Sequence, residues 1–174
     1  MNLILKRVLK KQQIEIVRVT DNVYLGNFKS AIDKKTLIDE NIKAILNVST
    51  FDYHIDYTQL NIDYLNIAFN DSIDECLMNY IPNTVAFIKE HAEQNENVLI
   101  HCVQGISRSP SILMAYLIMY EQLNVYDAYS RVKTVRPRIR PNSSFLASLY
   151  DLHTFLTTDS RDEQYIRYNP IVRV

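Results

Sequence analysis

The chain has 174 residues, a hydrophobic share of 47%, a charged share of 22% and a formal net charge of −1, which describes one globular domain with enough apolar material for a substantial core. So neutral a chain offers no global attraction to nucleic acid or acidic membranes, and any anion recognition has to be local. Two cysteines cannot build a disulfide framework, and His54, His91, His101 and His153 are scattered, so neither a metal centre nor a cofactor is expected.

MNLILKRVLKKQQ at the N-terminus is basic and partly apolar but lacks the apolar core and cleavage site of a signal peptide. The longest apolar run, ILMAYLIMY (112–120), is too short to cross a bilayer. These features predict a cytoplasmic or nuclear protein with three parts: a basic amphipathic extension (1–13), a folded domain (14–157) and a polar tail (158–174). In the extension, Leu5, Val8 and Leu9 alternate with Lys6, Arg7, Lys10 and Lys11, a pattern suited to packing on the domain, to pairing two copies as a homodimer or to touching an anionic surface.

Taken in chain order, IEIVRVT (14–20) alternates as a strand and VYLG (23–26) follows as a second. Ser30 is the expected cap of a helix over roughly 31–41. KAILNVS (43–49) and DYLNIAF (63–69) read as buried strands around a polar, Tyr-rich loop. Residues 74–94 carry Leu77, Ile81, Val85, Phe87 and Ile88 at helical spacing, with a kink or restart expected at Pro82. VLIHC (98–102) is the last central strand, and helices are expected at 109–121, 125–135 and 142–157. Strands alternating with helices predict an α/β fold: a central, largely parallel (mixed) sheet of about five strands flanked by helices. Ligands bind beyond the carboxyl ends of such strands, where residues 102–108 lie.

VLIHCVQGISRSP (98–110) carries the chemistry. A strand ends in His101-Cys102, a loop contains Gly105, and Arg108 opens an apolar helix. That order sets a thiol, loop N–H groups, a helix N-terminus and a guanidinium around one volume, all favouring an oxyanion. The chain has two glycines, where average usage gives about 12, and one is in this loop. An ordinary thiol, with a pKa of about 8.5, is mostly protonated at neutral pH, and each of these groups favours its thiolate. Arg108 can grip two phosphoryl oxygens at once. Pro110 suits the first helical turn, and the hydroxyls of Ser107 and Ser109 are within reach of the sulfur or the loop.

At these residues the sequence resembles the cysteine-dependent protein phosphatases, specifically the dual-specificity branch. HCVQGISRS (101–109) matches that branch's His-Cys, five residues, Arg, Ser signature. The likeness extends over about residues 14–157 through VTDNVYLGN (19–27), IKAILNVS (42–49), YLNIAFNDS (64–72) and RPRIRPNSSFLASL (136–149). It implies the cysteine-phosphatase fold and a protein phosphatase acting on phosphotyrosine and on phosphoserine or phosphothreonine through a phosphocysteine. Cys102 is then the nucleophile and Arg108 the phosphate and transition-state ligand. Asp71 is the general acid and base, with Asp74 as its competitor, and Ser109 assists thiolate departure. Val103, Gln104, Gly105, Ile106 and Ser107 bind the phosphate, while His101 and Asn142 brace the loop.

The partner implied is a phosphorylated protein, with no nucleic acid, no membrane span and no metal. Arg136, Arg138 and Arg140 offer positive potential for a second phosphate, or a solvated face. Cys76 is a candidate partner for oxidised Cys102, or simply a half-buried helix residue. Two other functions stand beside the phosphatase: an RNA 5′-phosphatase, which some relatives are, and a catalytically weak phosphoprotein-binding module.

Overall fold

A computed structural model describes residues 13–51 and 57–158. The extension at 1–13, apart from Gln13, and the tail, apart from Thr158, lie outside these residues, as does the expected homodimer contact. Five strands, β1 (Ile16–Arg18), β2 (Val23–Gly26), β3 (Ile42–Asn47), β4 (Asp63–Asn66) and β5 (Asn97–His101), form one sheet in the order β1-β2-β5-β3-β4. Only the β1–β2 pair is antiparallel. The sheet is therefore mixed and largely parallel, and both its faces are covered.

Side-chain alternation along the strands sorts the core into two layers. Val23, Leu25, Ala44, Leu46, Val98 and Ile100 face one layer, with Cys102 continuing the β5 parity. Tyr24, Ile45 and Leu99 face the other, against Ala31, Leu37 and Tyr57. A register shift between Ile42 and Ala44 lets Ile42 join Ile45 on that second face despite their odd separation.

Among the described residues six α-helices cover the sheet: α1 (Phe28–Ile32), α2 (Lys34–Asp39), α3 (Ile81–Glu93), α4 (Arg108–Tyr120), α5 (Val125–Val135) and α6 (Ser143–Thr157). Helix α4 is the central one, buried from Ser109 to Ala115, as a helix apolar on all sides has to be. Among the described residues no helix is long and apolar enough to cross a membrane.

Two expectations need correction. The single helix at 31–41 is two short helices, and Ser30 is not its cap. Asn27 caps α1, accepting from the Ser30 N–H at 3.0 Å while its own N–H donates to Ser30 Oγ at 3.1 Å. The chain then turns extended at Asp33, whose carboxylate accepts from the N–H and hydroxyl of Thr36 to start α2. Nor is 63–69 one buried strand: β4 ends at Asn66 and lies at the sheet edge with its residues exposed or half-buried. At Pro82, of a kink and a restart, the structure shows the restart. A 3₁₀ turn (Leu77–Asn79) comes first and α3 begins at Ile81, so Pro82 sits in the first helical turn, where its missing N–H leaves no bond unmade.

Candidate active site

The sheet delivers Cys102 to the carboxyl end of β5, where the Val48 N–H holds the His101 carbonyl at 2.9 Å. Beyond it, every carbonyl from Cys102 to Ser107 is already bonded to a donor. The imidazole Nδ1 of His101 reaches the Cys102 carbonyl (3.2 Å), and the Phe28 N–H reaches that of Val103 (3.2 Å). Arg136 takes two, donating from Nη2 to Gln104 (3.0 Å) and from Nε to Gly105 (2.7 Å). The Arg140 N–H bonds the Ile106 carbonyl (2.7 Å), while the N–H and hydroxyl of Ser111 bond that of Ser107 (3.0 and 2.8 Å). With the carbonyls held this way, the N–H edge of the loop is left for an anion. One of those N–H groups, of Gly105, already points at Cys102 Sγ, 3.2 Å away.

This tight wrapping explains the glycine. Gly105 has φ +66°, and a Cβ there would lie 2.4 Å from the Gly26 carbonyl oxygen and 2.8 Å from Arg136 Nη2. The chain's two glycines thus meet, one in the loop and one at the end of β2.

Electrostatics favours the thiolate of Cys102. Burial pushes the Cys102 thiol up, but the Arg108 charge, the Ser109 hydroxyl at 3.4 Å and the N–H groups of Ser109 and Gly105 outweigh it. The thiol is held below its ordinary range. Burial drives the neighbouring imidazole of His101 down to about 4, against the opposing pull of the Cys102 carbonyl. His101 is therefore neutral at physiological pH, and donation to that carbonyl sets the proton on Nδ1.

Arg108 opens α4 and leans back over the loop. Its Nη1 donates to the Phe69 carbonyl at 3.1 Å, while its Nε–H is buried and has no hydrogen-bond partner among the described residues. Phe69 stacks on Tyr80 and packs edge-on against Phe145, so the segment that follows starts from a fixed point. Two residues on, Asp71 Oδ1 accepts from Ser107 Oγ at 2.7 Å and from Asn142 Nδ2 at 3.0 Å. Cys102, Arg108, Asp71 and Asn142 all line one cleft of about 840 Å³, together with Val103, Gln104, Ile106 and Ser107.

The catalytic-domain profile of the dual specificity phosphatases matches residues 23–155. The chain belongs to that family. Dual specificity protein phosphatase 22-B of Danio rerio is 34% identical over 139 residues, 80% of this chain and 74% of that protein. Tyrosine-protein phosphatase vhp-1 of Caenorhabditis elegans is 32% identical over 144 residues, 83% of this chain but 22% of that longer protein. In three dimensions the crystal structure of DUSP15 superposes with a TM-score of 0.76 at 26% identity, covering 87% of this chain and 96% of the other.

Against that family pattern, Asp71 and Asp74 part company. Asp71 lines the cleft, whereas Asp74 bonds Ser72 and is absent from the lining. Ser107 turns its hydroxyl to Asp71 and leaves the sulfur to Ser109. Asn142 combines two tasks: its Oδ1 caps α6 at the Phe145 N–H (2.9 Å), and its Nδ2 braces Asp71. Its contact with the phosphate loop is through its backbone N–H, to Ser107 Oγ at 3.3 Å.

Of the three arginines, Arg136 needs correction. It is buried beneath the loop as a structural clamp, because its guanidinium is the donor set for Gln104 and Gly105. Arg138 pairs with Glu15, and Arg140 alone lines the cleft. Cys76 is exposed and outside the cleft lining. Among the described residues no group of three His, Cys, Asp or Glu could hold a metal. Glu15, which bonds Arg136, was not legible as part of the site: in sequence it is one polar residue of an alternating strand.

Proposed function

We propose that this chain is a protein phosphatase that hydrolyses phosphotyrosine, phosphoserine and phosphothreonine through a phosphocysteine. The observation that carries the reading is the Arg108 Nε–H, buried and unpartnered, beside a thiol held below its ordinary range. An orphaned buried guanidinium N–H is costly unless a ligand completes it. A phosphoryl oxygen is the acceptor that also suits the loop N–H groups and the thiolate.

In the first step the Cys102 thiolate forms a bond to phosphorus as the ester P–O bond breaks. Arg108 and the loop N–H groups take the charge on the equatorial oxygens. The leaving oxygen needs a proton, and Asp71 supplies it. With Oδ1 holding two donors and Oδ2 free of protein donors among the described residues, Oδ2 is the atom that carries the proton. In the second step water attacks the phosphocysteine, gives its proton to Asp71 Oδ2, and returns the thiolate with Ser109 Oγ donating to it. Phosphate leaves, and the enzyme is regenerated.

Support for protein substrates comes from the cradle itself. The Val-Gln-Gly-Ile-Ser interior has no basic side chain to meet the extra phosphates of an inositol lipid, and the exposed Ile73 at the rim suits a polypeptide. Purified protein is expected to release phosphate from phosphotyrosyl, phosphoseryl and phosphothreonyl peptides, and Cys102→Ser to abolish it. Failure on all three kinds sinks the reading. Release from triphosphate-ended RNA alone assigns the cleft to RNA, and peptide binding without turnover assigns it to a binding module.

A further inference from the structure

Next to the catalytic cleft lies a second cavity of about 360 Å³, lined by Val125, Tyr126 and Tyr129 of α5, by Arg140 and Pro141, and by Leu146 and Tyr150 of α6. Three of these, Arg140, Pro141 and Leu146, line the catalytic cleft as well. The two hollows are thus a single continuous surface, with a Pro and a Leu as the saddle between them.

Its chemistry is aromatic and unusually exposed. Tyr126 and Tyr150 are 74% and 58% accessible, and Ile73 on the far rim of the cleft is 70% accessible. Large apolar side chains left in water at one place mark a contact surface rather than chance. The groove is also preformed. The Lys133 ammonium lies 5.7 Å from the centre of the Tyr129 ring and donates to the Ile139 carbonyl at 2.9 Å. That ties the α5 wall to the segment carrying Arg140. Arg136 and Arg138 are both bonded to Glu15, whereas the exposed guanidinium of Arg140 has no ion pair among the described residues.

We propose that this groove docks the polypeptide flank of the phosphoprotein substrate, taking a bulky apolar side chain near the phosphorylated residue, with a neighbouring carboxylate on Arg140. The proposal rests on reading the main cleft as a phosphopeptide site. Continuity decides the occupant: a chain whose phosphate sits over Cys102 must leave past the cleft rim. Across the saddle of Pro141 and Leu146 it meets tyrosine rings and the guanidinium of Arg140, unpaired among the described residues. An apolar side chain held between aromatic walls, flanked by a charge-assisted bond, is what such a surface rewards.

The test compares phosphotyrosyl peptides that carry leucine or glycine at the positions two to five residues either side of the phosphotyrosine, with p-nitrophenyl phosphate as a substrate that fills the cradle alone. For the unaltered protein, kcat/KM is expected to be about tenfold higher with leucine at one of these positions, the effect of partly burying one such side chain. In Tyr126→Ala/Tyr150→Ala that advantage disappears, while p-nitrophenyl phosphate turnover stays within about twofold and reports that the fold is intact. Ile38→Ala, an exposed apolar residue on α2, keeps the advantage.

Equal rates for leucine and glycine peptides in the unaltered protein overturn the proposal and leave the phosphatase reading standing, as does an advantage that survives the double substitution. A dimer in light scattering that the double substitution splits shows a second copy of the chain in the groove, and overturns it too. Hydrolysis of p-nitrophenyl phosphate with no peptide turned over at all removes the phosphopeptide reading and the groove proposal together.

Discussion

Arg136 Nη2 donates to Glu15 Oε2 at 2.8 Å and to the Gln104 carbonyl at 3.0 Å, so one nitrogen links the chain just before β1 to the phosphate loop. Glu15 also accepts from Arg138, and Arg136 Nε holds the next loop carbonyl, that of Gly105. A carboxylate far away in sequence therefore fixes the guanidinium that shapes the anion cradle.

Removing the carboxylate leaves a cation whose side chain is 5% exposed without its counter-charge; Glu15 itself is 27% exposed. Glu15→Ala is expected to lower stability by about 2 kcal/mol, less than a fully buried pair because water reaches Glu15. It should lower kcat by about tenfold as the loop loosens. Glu15→Gln keeps an acceptor and loses less of both. Urea midpoints and kcat measured on the same samples check this, and if both are unchanged Arg136 holds the loop unaided.

The lowered Cys102 thiol has a pH signature. A thiol whose pKa is depressed keeps its thiolate to lower pH, so the rate of alkylation by iodoacetamide should reach its midpoint below the ordinary value of about 8.5. Ser109 contributes to that lowering by hydroxyl and N–H donation. In Ser109→Ala the midpoint moves up, and the acid limb of kcat/KM moves up with it. A midpoint that stays put or falls shows that Ser109 does not stabilise the sulfur anion.

Asp71 is expected to matter in proportion to the difficulty of the leaving group. With phenyl phosphate, whose phenolate is a poor leaving group, Asp71→Asn should reduce kcat by about a hundredfold. With an aryl phosphate whose phenol is strongly acidic the loss should be slight. An equal loss on both substrates indicates that Asp71 positions Ser107 and Asn142 rather than donating a proton.

Much of this site was legible in order along the chain. His101-Cys102, Gly105 and Arg108 lie within one strand-loop-helix unit, and the chemistry of that unit follows from residue types at fixed spacing. Asp71 was legible through the resemblance to the dual-specificity phosphatases, which implies an acid on a loop some thirty residues before the Cys. Element boundaries were less so. Ser30 has the chemistry of a cap, but Asn27, three residues earlier, takes that position and makes Ser30 the other half of a capping box. Pro82 left a kink and a restart both open, and the start of α3 at Ile81 decides for the restart.

What the amino-acid order determined by itself was local: strand parity, the Cys102–Arg108 spacing across one loop, and the glycine that loop requires. The tertiary structure alone decided which distant groups hold the loop carbonyls, which of three closely spaced arginines is buried, and that α5 and α6 leave an aromatic groove beside the cleft. The physical reason is that a hydrogen-bond donor is selected by distance and direction in space. Glu15, Phe28, Arg136 and Arg140 come within bonding range of the loop and its clamp only once the sheet has closed and its helices have packed.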